Sequence, residues 1–309
     1  KIIIRTGKKM GKKNTSQITI GQYNITRVEE ILPLIPLEIL LPRLDLEIAK
    51  KQFSWMVPNY FDPNTGLSPL SIHSWLLKTP HHNILIDACA GNHKTRTREE
   101  QADFANLETK YLENLSSAGI TPSEIDFVLC THLHVDHVGW NTKLENGKWV
   151  PTFPNAKYLF SEIDYNYWNT TNRAGADPHP NDGPFDDSVL PIIEAGQGLL
   201  VKDIHEIEQN IIVKPNPGHS PGHVTLHIGD GDNQGVFSGD IMHHPLQVYQ
   251  PDWSSCFCEL PEMARQTRIK LLEQCADEPI IVMPAHFASP HGGRILNTSD
   301  GFALEWIEN

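Results

Sequence analysis

The chain has 309 residues, with 25 basic against 38 acidic side chains and a formal net charge of -13 at neutral pH. Such an excess of negative charge repels nucleic acid and anionic membranes, and the length suits one large domain or two small ones. The odd set Cys89, Cys130, Cys256, Cys258 and Cys275 implies no disulfide framework and reads as reduced thiols of a cytoplasmic chain.

Lys1 to Lys13 is basic but lacks the apolar segment of a secretory signal, and no function is assigned to residues 1–9. Met10-Gly11 followed by Thr15 matches a myristoylation pattern only if Met10 were the start. The apolar run from Ile31 to Leu41 is too short, and too broken by Pro33 and Pro36, to span a bilayer.

Strand signals fall at 17–20, 25–29, 82–87, 125–130, 157–160, 211–215, 224–229, 235–239 and 279–283. Helical patterns fall near 98–118, 161–168, 186–195, 261–276 and 300–308. Ser161 with Asp164 resembles a capping box, Gly119 suits a helix stop and Pro261 a first helical turn. The stretch from Trp140 to Val150 reads as a hairpin turning at Asn146-Gly147. Thr170 to Phe185, polar and rich in Gly, Pro and Asp, is a surface excursion or a lid beside a pocket. The aromatic, turn-rich stretch Phe53 to Phe61 suits packing or a dimer contact as well as substrate binding.

Chemistry concentrates in Thr131-His132-Leu133-His134-Val135-Asp136-His137, directly after the apolar run Ile125 to Cys130. Three imidazoles and a carboxylate crowded on one loop are costly without a cation to hold them. Further donors follow at strand ends and turns: His219 and His223 within Pro217-Gly218-His219-Ser220-Pro221-Gly222-His223, Asp240 after Val236-Phe237-Ser238-Gly239, and His286 after Val282-Met283-Pro284-Ala285. The spread from Asp87 to His286 requires one domain to bring its ends together. Cys256-Phe257-Cys258 reads as packing, with a third metal site as the weaker alternative.

This series, with Asp87 ending the strand signal His82 to Asp87, resembles the metallo-β-lactamase superfamily of dinuclear metallohydrolases, over about residues 70–290. The resemblance implies an α/β four-layer αββα sandwich: a single domain over 1–309 with an N-terminal extension of about 1–70 and an inserted hairpin, helix and loop region of about 140–210. It implies one metal held by His132, His134 and His219, a second by Asp136, His137 and His286, and Asp240 bridging them. Nitrogen and oxygen donors suit two divalent ions, zinc first, with manganese, iron or cobalt as alternatives. His223 is expected to support the site rather than ligate.

Departures within the superfamily narrow the reading. His134, where a redox di-iron branch has Glu, argues against that branch. Asp240 and the absence of a Cys ligand disfavour the zinc β-lactamases. Lactone-opening relatives often carry Tyr three residues after the bridging Asp, where this chain has His243, which either contacts substrate or orients Asp240.

The implied reaction is hydrolysis by a hydroxide that two metals activate, oriented by Asp136 and Asp240, with no serine or cysteine nucleophile. The insertion and the segment Gly239-Asp240-Ile241-Met242-His243-His244 resemble the lactonase and organophosphate-triesterase branch. Trp55, Phe61, Trp140, Met242, Trp253 and Phe287 suggest a small, partly hydrophobic ester or lactone of the acyl-homoserine-lactone type. Phosphotriesterase or thioesterase activity is the alternative, and a nuclease or a non-catalytic metal-binding module ranks below both. The expected partner is a small molecule, with no nucleic acid and no membrane, and homodimerisation is left open.

Overall fold

The computed structural model describes residues 17–173 and 183–307. They fall into two compact units, one built from described residues within 17–31 and 72–205, the other from 32–71 and 206–307. The basic N-terminus, the myristoylation pattern and residues 174–182 of the proposed lid lie outside the described residues.

The first unit carries a seven-stranded sheet in the order Gln17–Ile20, Tyr23–Ile31, Ile72–Lys78, Asn83–Ile86, Phe127–Leu129, Lys157–Ser161, Gly198–Val201. The first four strands are an antiparallel meander. The last four run parallel to one another, and helices such as Tyr111–Ser117 and Glu162–Arg173 lie on the connections. Ile84, Leu85, Ile86, Val128 and Leu129 are fully buried, as parallel strands covered on both faces require. In such sheets, chemistry gathers just past the carboxyl ends of the strands, and here Asp87 and the segment 130–137 follow two neighbouring parallel strands.

The second unit carries the sheet His205–Glu208, Ile211–Pro215, Val224–Asp230, Asn233–Gly239, Ile280–Pro284, Gly293–Thr298, Gly301–Trp306. Its one parallel pair is Asn233–Gly239 with Ile280–Pro284, crossed over by helix Pro261–Asp277. That helix buries Ala264, Arg268, Leu271, Leu272 and Cys275, a single stripe at helical spacing. Asp240 and His286 lie just past the carboxyl ends of the parallel pair.

The hairpin closes as its sequence predicts, with Asn146 and Gly147 both at positive φ (51° and 77°) between Thr142–Glu145 and Lys148–Pro151. Helix Pro261–Asp277 starts on its proline, and Gly119 (φ +79°) ends helix Tyr111–Ser117. Other expectations are corrected. The segment 300–308 is strand Gly301–Trp306, paired with Gly293–Thr298 around a turn in which Gly301 takes φ +118°. The helix expected over 98–118 breaks at Asn106 (φ +51°) into a 3-10 turn, Glu99–Phe104, and a short α-helix. Strand Ile72–Lys78 escapes the pattern because six of its seven residues are buried, which erases any alternation. Among the described residues no helix is long and apolar enough to cross a membrane.

Candidate functional site

Each unit gathers its own set of ligand-type side chains. In the first unit, Asp87 follows strand Asn83–Ile86 in the left-handed region (φ +60°), which aspartate tolerates better than most residues. Its Oδ1 accepts the backbone N–H of Thr131 at 2.7 Å, and both of its oxygens accept the Thr131 hydroxyl at 3.0 Å. Its Oδ2 lies 2.9 Å from His137 Nδ1. Because the Thr131 hydrogen points to Asp87, its oxygen is left to accept from His132 Nδ1 at 3.1 Å. One buried carboxylate thus sets the tautomer of two histidines, and both present an Nε2 lone pair.

His132 Nε2 lies 3.0 Å from His134 Nδ1, and the His132 and His137 rings are 4.0 Å apart. Asp136 and His137 sit on the single turn Val135–Val138, where Asp136 Oδ2 is 3.7 Å from His137 Nε2. Helix Glu162–Arg173 steadies this loop. Asp164 Oδ2 accepts the N–H of Leu133 at 3.3 Å, and buried Trp168 stands edge-on to His134. The turn is pressed onto residues 88–91 by three backbone bonds: Ala88 N–H to His137 O, Gly139 N–H to Cys89 O, and Trp140 N–H to Ala88 O.

In the second unit, the Asp240 carboxylate is the centre. His219 Nε2 lies 3.2 Å and His243 Nε2 3.1 Å from its Oδ2, while His286 Nε2 is 3.0 Å from Oδ1 and 3.1 Å from Oδ2. All four side chains are buried. The donor atoms of His219, Asp240 and His243 lie within 4.8 Å of one another. His286 is tethered twice to Ser71, whose N–H donates to His286 O at 3.1 Å and whose carbonyl accepts from His286 Nδ1 at 3.0 Å.

That carbonyl is an acceptor only, so a neutral His286 carries its proton on Nδ1 and turns its Nε2 lone pair to two carboxylate oxygens. Lone pairs opposed at 3.0 Å repel unless a cation lies among them. The donor set therefore fits divalent metal, with imidazole and carboxylate in the first layer and a carboxylate, a carbonyl and a hydroxyl fixing ring tautomers behind it.

His223 is fully buried, and its Nε2 accepts the backbone N–H of Asp240 at 3.0 Å, a supporting contact rather than one to the carboxylate. His243 stacks on His286 (19°, 5.4 Å), and burial lowers its pKa from the usual histidine value against the pull of Asp240. Gly218 (φ +138°) is required where the His219 turn meets helix Pro261–Asp277, because a Cβ there would lie 2.3 Å from the Ala264 nitrogen. Gly218 to Gly222 spells G-x-S-x-G, but it joins two strands instead of a strand to a helix, and Ser220 is buried. It is not a nucleophile elbow.

Several supporting residues leave no mark in the sequence. Arg268, wholly buried, donates from Nε to Ile241 O (2.9 Å) and from its guanidinium to Pro251 O (2.8 Å) and Trp253 O (3.3 Å), clamping the loop after Asp240. Gln247 accepts the N–H groups of His243 and His244 and donates to Trp253 O. Glu30 accepts from Ala90 N, Gly91 N, Thr109 Oγ1 and Trp140 Nε1, and burial raises its pKa despite these four donors.

The proposed pocket residues are largely structural. Phe61, Trp140, Met242, Trp253 and Phe287 are all buried, and Trp140 stacks on Tyr111 while donating to Glu30. Trp55 alone of the six is half-exposed, stacked on Tyr249 at 5.2 Å. The five cysteines are free thiols, with Cys256 exposed and the others buried.

A family model for the metallo-β-lactamase superfamily matches residues 67–290. The chain belongs to that superfamily. Its fold is that of a hydrolase family, as solved structures agree. The crystal structure of hydrolase AbOPH, of the β-lactamase superfamily, superposes with a TM-score of 0.81 at 22% identity, over 97% of this chain and 99% of that one. AidC, a dizinc quorum-quenching lactonase solved with the product N-hexanoyl-L-homoserine, gives 0.72 at 22% identity, over 96% and 97%. A probable metal-dependent hydrolase from Staphylococcus aureus gives 0.67 at 20% identity, over 94% and 99%. An uncharacterized Caenorhabditis elegans protein is 24% identical over 156 residues, 50% of this chain and 34% of that relative's length. The chain therefore matches about a third of this curated relative.

Proposed function

We propose that this superfamily member is a metal-dependent hydrolase of small esters or lactones. In this reading His132, His134 and His219 hold one divalent cation, Asp136, His137 and His286 hold a second, and Asp240 is shared. The observation that carries it is His286, with Nδ1 on the Ser71 carbonyl at 3.0 Å and Nε2 turned to the Asp240 carboxylate at 3.0 Å. When bound, two such cations acidify a water molecule and polarise a carbonyl or phosphoryl oxygen.

The chain's own residues supply orientation. Asp87 keeps the Nε2 atoms of His132 and His137 unprotonated, directly and through Thr131. His243 Nε2 stands 3.1 Å from Asp240 Oδ2, which supports the reading of His243 as orienting Asp240 over contacting substrate. Asp136 and Asp240 accept hydrogen bonds from the attacking water and fix its line of approach. Zinc is the preferred metal, and AidC's status as a dizinc lactonase favours a lactone over a thioester or phosphotriester.

Metal analysis with a hydrolysis panel of acyl-homoserine lactones, aryl esters, thioesters and phosphotriesters tests this. About two divalent ions per chain and turnover of a lactone or ester are expected, and His132→Ala or Asp240→Ala should lose metal and activity together. Wild-type protein that binds no metal, or full turnover in either variant, rules the reading out. Cleavage of RNA or DNA by the loaded enzyme would point to a nuclease instead.

A further inference from the structure

Four of the five imidazoles assigned as ligands, His134 excepted, share a pattern at the nitrogen turned away from the cluster. For His137 the partner of Nδ1 is the Asp87 carboxylate (2.9 Å), for His286 the Ser71 carbonyl (3.0 Å), and for His132 the Thr131 hydroxyl (3.1 Å). At His219 the atom facing Nδ1 is the sulfur of Cys258, at 3.6 Å, within range of a hydrogen bond to sulfur. The contact is built, not incidental. Glu259 N–H donates to His219 O at 2.8 Å and Leu260 N–H to Gly218 O at 3.0 Å, so the segment after Cys258 is laced to the His219 turn. Cys258 is buried and lies near the fixed guanidinium of Arg268.

We propose that Cys258 is a positioning residue for His219, its sulfur holding the Nδ1 proton so that the Nε2 lone pair is turned toward Asp240. This rests on the reading of His219 as a metal ligand. The sulfur suits the task by position: it is buried, lies within hydrogen-bond range of Nδ1, and can accept the ring proton. It is a weaker acceptor than the oxygen partners of the other three rings, which makes His219 the most loosely held of the four. Cys256, two residues away, is exposed, so the pair does not act as a joint cysteine site.

The test compares zinc-loaded wild type, Cys258→Ala and Cys258→Ser. Zinc dissociation constants come from competition with a chromophoric chelator, and ring protonation from nitrogen-proton correlation spectra of histidine-labelled protein. Cys258→Ala should weaken one of the two zinc ions by about 10- to 100-fold with the circular dichroism spectrum unchanged. Cys258→Ser, whose hydroxyl can also accept, should recover most of that loss. In wild type the His219 proton should reside on Nδ1 and exchange slowly with water.

Unchanged zinc affinity in Cys258→Ala overturns the proposal, and so does a serine variant as weak as alanine, which would assign the thiol to packing. Should Cys258→Ala fail to fold, the wild-type spectrum alone decides, since a His219 proton on Nε2 in the zinc-loaded protein is incompatible with it. A wild type that binds no zinc overturns the underlying metal assignment, and this inference with it. Two bound zinc ions with indifferent variants overturn the role of Cys258 alone.

Discussion

The backbone N–H of Asp240 donates to Nε2 of His223 at 3.0 Å, so a histidine that holds no carboxylate still decides where the central carboxylate stands. Asp240 leaves strand Asn233–Gly239 through a register shift and a glycine at φ +50°, a geometry that a ladder bond does not fix. His223 supplies the missing acceptor. His223→Ala should leave a buried N–H unpaired, costing about 1–3 kcal/mol in urea unfolding. It should also lower turnover by about 10- to 100-fold through misplacement of Asp240. His223→Gln, which returns an acceptor, should recover part of both, and an alanine variant with wild-type stability and rate would show the contact to be incidental.

Asp87 stands behind two of the proposed ligands. Asp87→Ala removes the acceptor of His137 Nδ1 and releases the Thr131 hydroxyl that sets His132. Metal content after dialysis should fall further than in Thr131→Val, which disturbs the His132 side alone. Equal metal loss in the two variants would place the whole effect on His132.

Backbone contact, not side-chain chemistry, fixes the turn that carries Asp136 and His137. A Cβ on Gly139 would lie 1.8 Å from the Ala90 carbonyl oxygen and 2.6 Å from the Gly91 nitrogen. Because those are backbone atoms, the turn itself must shift, and Gly139→Ala should cost more than about 2 kcal/mol. Thermal unfolding checks this. Gly147→Ala, at a hairpin tip with nothing within 4 Å, should cost less, its expense coming from φ +77° alone.

His244 gives a pH dependence with a definite sign. Its Nδ1 accepts the Leu246 N–H and its Nε2 faces the Tyr60 carbonyl, so the ring is held neutral, and burial lowers its pKa from 6.5 to about 4. The unfolded chain takes up a proton below pH 6.5 that the folded chain refuses until about pH 4. Stability is therefore full above pH 6.5 and is lost as the pH falls through that window, by about 3 kcal/mol at the lower end. His227, lowered to about 4 by burial and then by Lys214, acts in the same direction. Urea midpoints measured from pH 7 to pH 4 should fall less steeply in His244→Gln than in wild type; parallel slopes would contradict the assignment.

Metal should stabilise the folded chain, because the ligand set does not exist in the unfolded one. Zinc at a thousandfold excess over its dissociation constant should add about 4 kcal/mol, reversed by a chelator, as a shift of the unfolding midpoint. No shift on adding zinc, manganese or cobalt would argue against any of these ions binding.

The residues proposed as ligands stand out in the sequence because metal chemistry restricts residue type and spacing. His132, His134, Asp136 and His137 sit within one loop, while His219, Asp240 and His286 each follow a strand signal or glycine-proline turn. Strands that alternate or end on such residues were legible for the same reason: their pattern is local. Tertiary structure alone decided what stands behind them. Arg268, Glu30, Asp164 and Cys258 act by burial and by bonds to residues distant in sequence, and no local period marks a side chain whose partner lies on another element. It also decided that five of the six candidate pocket residues are core and that residues 301–306 are a strand, since burial and strand pairing are properties of neighbours.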